Sequence, residues 1–84
     1  MKKVAVISAI LEDPEKTQLQ FNHTVASFKG IIKGRMGLPM PDQEISVIFI
    51  AVLGETDEIN SLTGKLGKIE KVSVKTAISK KDFD

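Results

Sequence analysis

Two stretches of this chain, Val4–Leu11 and Ile45–Leu53, carry apolar residues at both odd and even positions. Successive side chains of a strand point to opposite faces, so both segments are hydrophobic on both sides if extended. An 84-residue chain has room for only two helices. Those helices cover one face of a sheet and leave the other without an internal partner. Burying an aliphatic side chain contributes roughly 1.5–3 kcal/mol, and a whole domain is stable by only about 5–15 kcal/mol. Several such residues left in water would forgo much of that margin. The pattern therefore predicts a subunit that forms a homo-oligomer through its sheet.

Composition supports the same reading. The length fits one domain with a small core, and cysteine is absent, so neither a disulfide nor a cysteine-based metal clip adds stability. Idealised packing and oligomerisation are the usual routes left, and the doubly apolar strands favour the second. Lys and Arg number 12 against 11 Asp and Glu, a net charge of +1, which gives no strong field for nucleic acid or an acidic membrane. Met1-Lys2-Lys3 before Val4–Leu11 looks superficially like a signal peptide. The apolar run is short, however, and ends in Glu12-Asp13-Pro14-Glu15 without a small-residue cleavage site. No run reaches the roughly 18 apolar residues of a membrane span. A cytoplasmic location is expected.

Asp13-Pro14 marks a helix start, with Asp13 as the capping side chain and Pro14 at the first helical position. Phe21, Val25 and Phe28 share one helical face, and Lys29-Gly30 ends the helix. Ile31–Met36 alternates as a half-buried edge strand does, while Gly37–Asp42, with prolines at 39 and 41, reads as a connection. After the second doubly apolar segment, Thr56 or Asp57 opens a helix that places Ile59, Leu62, Leu66 and Ile69 on one side. Lys71–Ile78 alternates again as an edge strand, and residues 80–84 form a polar tail expected to fray beyond a single domain of residues 1–79. The order is βαββαβ. Right-handed crossovers put the two doubly apolar strands in the centre and the alternating ones outside, in an α+β sandwich with both helices on one face of a four-stranded antiparallel sheet.

No residue grouping reads as reaction chemistry. RNA-recognition domains share this element order but read bases with aromatics on the central strands, where this chain has only Phe49. His23 is the sole histidine and falls on the polar side of its helix, so a metal site lacks ligand spacing. Gly64-Lys65-Leu66-Gly67 lacks the earlier glycine and following Ser or Thr of a phosphate loop. A glycine inside a helix costs about 1 kcal/mol relative to alanine. Gly64 thus points either to close packing of the backbone or to approach by a ligand or second subunit, while Gly67 closes the helix. Arg35, beside Met36-Gly37-Leu38-Pro39, is either a solvated charge or a guanidinium set to hold a carboxylate or an adjoining subunit. No Ser, Cys, His or carboxylate grouping pairs a nucleophile with a base.

Three motifs in register, Arg35-Met36-Gly37-Leu38-Pro39, Ile59–Gly67 and Val72–Thr76, together with Asn22, Phe28 and Glu12-Asp13, resemble the family of iron-only hydrogenase system regulators. The resemblance runs from the first strand to Lys80. It implies a ferredoxin-like domain of the ACT-like kind, similar to the effector-binding C-terminal domain of the nickel-responsive repressor, in a group whose members assemble through their sheets and bind small effectors between subunits. Nickel sensing is not carried over, because that domain uses several histidines and a cysteine where this chain has His23 alone. A DNA-entering helix is missing as well, so direct nucleic-acid binding is not expected.

The expected function is a non-enzymatic regulatory or effector-binding subunit associated with the iron-only hydrogenase system. The alternative is an adaptor that docks a hydrogenase or its maturation factors without a small ligand; a small enzyme is the weakest reading. No catalytic residue, cofactor, metal or membrane partner is assigned. Arg35, Gly37, Gly64, Lys65 and Gly67 are the candidate ligand or subunit-interface residues, since they combine backbone access with positive charge.

Overall fold

The computed structural model describes residues 1–84. Its elements are β1 (Lys2–Glu12), α1 (Pro14–Ala26), β2 (Ile32–Met40), a 3₁₀ turn (Pro41–Gln43), β3 (Ile45–Glu55), α2 (Thr56–Gly67) and β4 (Val72–Ile78). All strand pairs are antiparallel, and the sheet order is β2-β3-β1-β4. The doubly apolar strands are central and the alternating ones are at the edges, as the patterning requires.

The two parities of each central strand have different fates. Ala5, Ile7, Ala9 and Leu11 of β1 and Ile48, Ile50 and Val52 of β3 face the helices and are buried. They meet Phe21 and Val25 of α1 and Ile59, Leu62 and Leu66 of α2 in one continuous core. Gly54 of β3 is where the backbone comes closest to another element. A Cβ there would lie 2.8 Å from Ile31 Cγ2, so only glycine lets the chain entering β2 cross the end of β3. The Leu53 N–H donates to the Ile31 carbonyl at 2.9 Å, and the β2–β3 register shifts between Ile32 and Gly34.

Several local expectations are corrected. β2 does not stop at Met36 but runs through Gly37, Leu38 and Pro39 to Met40, because an edge strand tolerates a proline whose missing N–H would face solvent. The connection is only Pro41–Gln43 plus Glu44. α1 does start at Pro14, yet Asp13 makes no side-chain cap. Held in the left-handed region (φ 50), Asp13 instead offers its carbonyl to the Lys16 and Thr17 N–H groups, and Thr17 Oγ1 donates to the carbonyls of Glu12 and Asp13. α1 ends at Ala26 rather than at Gly30; i→i−3 bonds such as Phe28 N–H to the Val25 carbonyl tighten the exit. α2 begins with a capping box in which the Glu58 carboxylate accepts the Glu55 N–H at 3.1 Å. Gly67 is the last residue of α2, but no glycine has positive φ; Lys71 (φ 68) turns the chain into β4. The tail is tied down rather than frayed. Phe83 bridges to Lys2, Lys3 Nζ lies 2.9 Å from Asp82, and Ser79 Oγ accepts the Val4 N–H.

Candidate functional site

The opposite parity of the strands forms an open sheet face. Val4, Val6, Ser8 and Ile10 of β1 lie directly across from Leu53, Ala51, Phe49 and Val47 of β3, whose outer neighbours Met36 and Leu38 of β2 complete a contiguous apolar area. On the far side Ala77, Lys75 and Ser73 of β4 pair with Val6, Ser8 and Ile10. Neither helix reaches this surface. Met36 is 63% exposed, Leu38 54%, Val6 46% and Ile10 44%. Nine partly or fully exposed apolar side chains across three strands form the kind of patch that marks an interaction site.

The five residues singled out by sequence fall elsewhere and in two groups. Arg35 points to the helix side of β2, where Nη2 donates to Asn22 Oδ1 at 2.6 Å and the guanidinium sits 5.6 Å above the Phe21 ring. Arg35 therefore staples the edge strand to α1 and covers a fully buried aromatic, a packing role neither of its two sequence readings included. Its remaining N–H donors face outward, with Gly37 two residues further along the same edge. Gly64 and Gly67 are exposed on the outer side of α2, and Lys65 Nζ lies 5.3 Å over the Phe28 ring. A Cβ at Gly37, Gly64 or Gly67 would meet nothing within 4 Å. The close-packing explanation for Gly64 therefore has no neighbour inside its own chain. Within one protomer the Arg35–Gly37 edge and the α2 group do not converge.

Sequence reasoning missed two concavities. A cleft of about 650 Å³ at the end of the sheet is lined by Glu12, Asp13, Glu15, Glu44 and Lys71 among others. All three non-glycine residues with positive φ, Asp13, Glu44 and Lys71, are here. Backbone bonds from Asp13 N–H to the Glu44 carbonyl and from Glu12 N–H to the Lys71 carbonyl lace the loops together. The signal available was the Glu12-Asp13-Pro14-Glu15 run, which reads equally well as an ordinary helix entry. A second cleft of about 540 Å³ at the opposite end includes Lys2, Phe28, Lys33 and Gly54. None of the five sequence candidates lines either cleft.

The family described as "TM1266-like: Iron-only hydrogenase system regulator, putative" matches residues 3–76. The chain belongs to this family. The solved structure of the TM1266 protein from Thermotoga maritima is similar throughout, with 34% identity, a TM-score of 0.91, and coverage of 95% of this chain and 100% of that one. The C-terminal domain of the MgtC protein from Mycobacterium tuberculosis shares the fold at 12% identity (TM-score 0.72, 92% of this chain and 87% of that one). SnoaB, a cofactor-independent oxygenase from Streptomyces nogalater, does so at 14% identity (TM-score 0.60, 100% and 97%). At those identities the likeness is one of fold. No match was found among curated proteins. The chain has no helix long and apolar enough to cross a membrane.

Proposed function

We propose that this member of the hydrogenase-regulator family is a non-catalytic, cytoplasmic regulatory subunit that works as a homo-oligomer built on its open sheet face and takes a small effector at a boundary between subunits. The observation that carries the reading is the apolar face itself, with Met36, Leu38, Val6 and Ile10 each 44–63% exposed in the isolated protomer. Covering such side chains is the strongest favourable term available to a small chain whose helices already occupy the other face.

The chemistry of the effector follows from the candidate residues. Arg35 retains free donors while Asn22 and Phe21 hold its guanidinium in place, an arrangement suited to a carboxylate or phosphate. Lys65 adds a positive charge at the exposed last turn of α2, where the free backbone groups are carbonyls and the ammonium alone attracts an anion. Both groups lie on the helix side of the sheet and apart in one protomer, so a ligand touching both would bridge copies at a boundary between helix layers, distinct from the open-face contact.

Native mass spectrometry of protein purified from its own cells tests this reading. The expected result is a multimer that carries a small anionic molecule, and Arg35→Ala or Lys65→Ala lowers its occupancy. Capture of a hydrogenase or maturation factor by a protein that carries no small ligand favours the docking-adaptor alternative. Turnover abolished by changing Arg35 or Lys65 would instead indicate an enzyme.

A further inference from the structure

The open face is complementary to itself in one particular orientation. Its residues form rows across the sheet: Gly34, Ala51, Val6 and Ala77 in one, and Met36, Phe49, Ser8 and Lys75 in the next. The first row has small residues on three of its four strands. The second carries Met36, Phe49 and Lys75 on those same three strands, with Ser8 on β1 beside the larger Val6. Further along β1 lie Val4 on one side and Ile10 on the other, then Lys2 and Glu12 at the two ends, all of the same parity. Lys2 and Glu12 are exposed, and neither forms an ion pair within its own chain.

We infer that two copies stack face to face about a two-fold axis that runs across the strands between Val6 and Ser8, so that β1 lies antiparallel on β1 of the second copy. That operation keeps each strand over its own equivalent and reverses the rows. Phe49 then falls over the second copy's Ala51, Met36 over its Gly34 and Lys75 over its Ala77. Ile10 meets Val4, Val47 meets Leu53, and Lys2 at each end meets Glu12. Large side chains fill small-residue positions, and opposite charges close both rims, as an interface in which each surface is its own partner demands. The other face-to-face two-fold, running along the strands, lays β1 over β3. It puts Met36 on Lys75 and turns Lys2 towards Glu55, whose carboxylate already holds the Met1 amino group at 3.1 Å; Ile45 meets a carboxylate in both arrangements, Glu55 in the first and Glu12 in the second.

The area is sufficient. Two 11-residue central strands are about 36 Å long at roughly 3.3 Å per residue, and the protein is 19 Å across in its second dimension. A face of that size offers on the order of 500–600 Å² per copy in projection, which brings the pair to the roughly 1,000 Å² that a specific interface needs.

This inference rests on the reading that a second copy covers the open face, and sedimentation velocity on charge-reversed variants separates the two. Lys2→Glu alone and Glu12→Lys alone each set like charges together at both rims and weaken dimerisation about fivefold or more at low salt, an effect that shrinks as salt is raised. The double variant restores the wild-type constant to within about twofold, because each rim regains a Lys–Glu pair. Phe49→Lys, on the open face and outside the core, abolishes dimerisation while far-UV circular dichroism stays unchanged. If Phe49→Lys dissociates the dimer but the double variant does not recover, the antiparallel stack is wrong and the covered face stands. Weakening by Lys2→Glu with no effect of Glu12→Lys overturns it in favour of β1 over β3. A monomeric wild type, or an oligomer indifferent to Phe49→Lys, overturns both.

Discussion

Replacing Gly64 with alanine separates what this chain needs from what its surroundings need. Gly64 lies in the last turn of α2, its φ is not positive, and a Cβ built on it would meet no atom within 4 Å. Nothing in the protomer opposes the extra methyl. Alanine is favoured over glycine in a helix by about 0.8–1.0 kcal/mol, and position near the fraying end of the helix lowers this to roughly 0.5–1 kcal/mol. Gly64→Ala should therefore stabilise the isolated fold. For a domain of this size, 1 kcal/mol corresponds to roughly 4–8 °C in melting temperature, so the expected rise is about 2–8 °C, with a matching increase in the urea midpoint at unchanged slope. Retention of glycine at a cost of this size is explained if something outside the protomer approaches the α2 surface. The same variant should then bind an effector or neighbouring subunit more weakly although it is more stable. A loss of stability in dilute protein would refute the argument, since it would show that the methyl strikes the chain itself.

Further substitutions probe the contacts named above. Gly54→Ala drives a Cβ to 2.8 Å from Ile31 Cγ2 and should destabilise the fold by about 1–3 kcal/mol through overpacking, measured by urea unfolding. The Thr63 and Thr76 hydroxyls share a 2.7 Å hydrogen bond between α2 and β4. Thr76→Val should cost about 1 kcal/mol by leaving Thr63 unpaired, and adding Thr63→Val should recover most of it, the sign that distinguishes a lost partner from lost packing. Arg35→Ala uncovers Phe21 and frees Asn22. A loss of about 0.5–1.5 kcal/mol is expected, and Arg35→Lys should recover only part of it because an ammonium cannot both cover the ring and present a planar fork.

The large-scale architecture was legible because it depends on periodicity. Val4–Leu11 and Ile45–Leu53 had to be central strands, and Lys71–Ile78 had to be an edge, for reasons that need no atomic detail. What escaped depends on which neighbour a residue meets. Pro39 reads as a strand breaker until β2 is known to be outermost. Asp13 has the right side chain for a helix cap, but the Glu44 carbonyl takes its N–H, its backbone is left-handed (φ 50), and its carboxylate makes no cap bond. Glu55 is an unusual residue at a helix N-terminus, and its capping box with Glu58 shows only in the geometry. The tail, with Phe83 as its one large apolar residue, gave no pattern from which its bridge to Lys2 could be read. The five candidate site residues are all exposed, but spacing along the chain could not tell that the β2 edge and the outer side of α2 are separate surfaces.

The claim on which the functional reading stands is that the apolar sheet face is hidden by another copy. Small-angle X-ray scattering on micromolar protein tests it directly, because it reports mass and shape together. The expected particle has a mass that is an integral multiple, two or more, of 9.2 kDa and a radius of gyration well above that of one protomer, 12.7 Å over its Cα atoms. A mass of one chain with a radius close to that protomer value, unchanged across a concentration series, would contradict it.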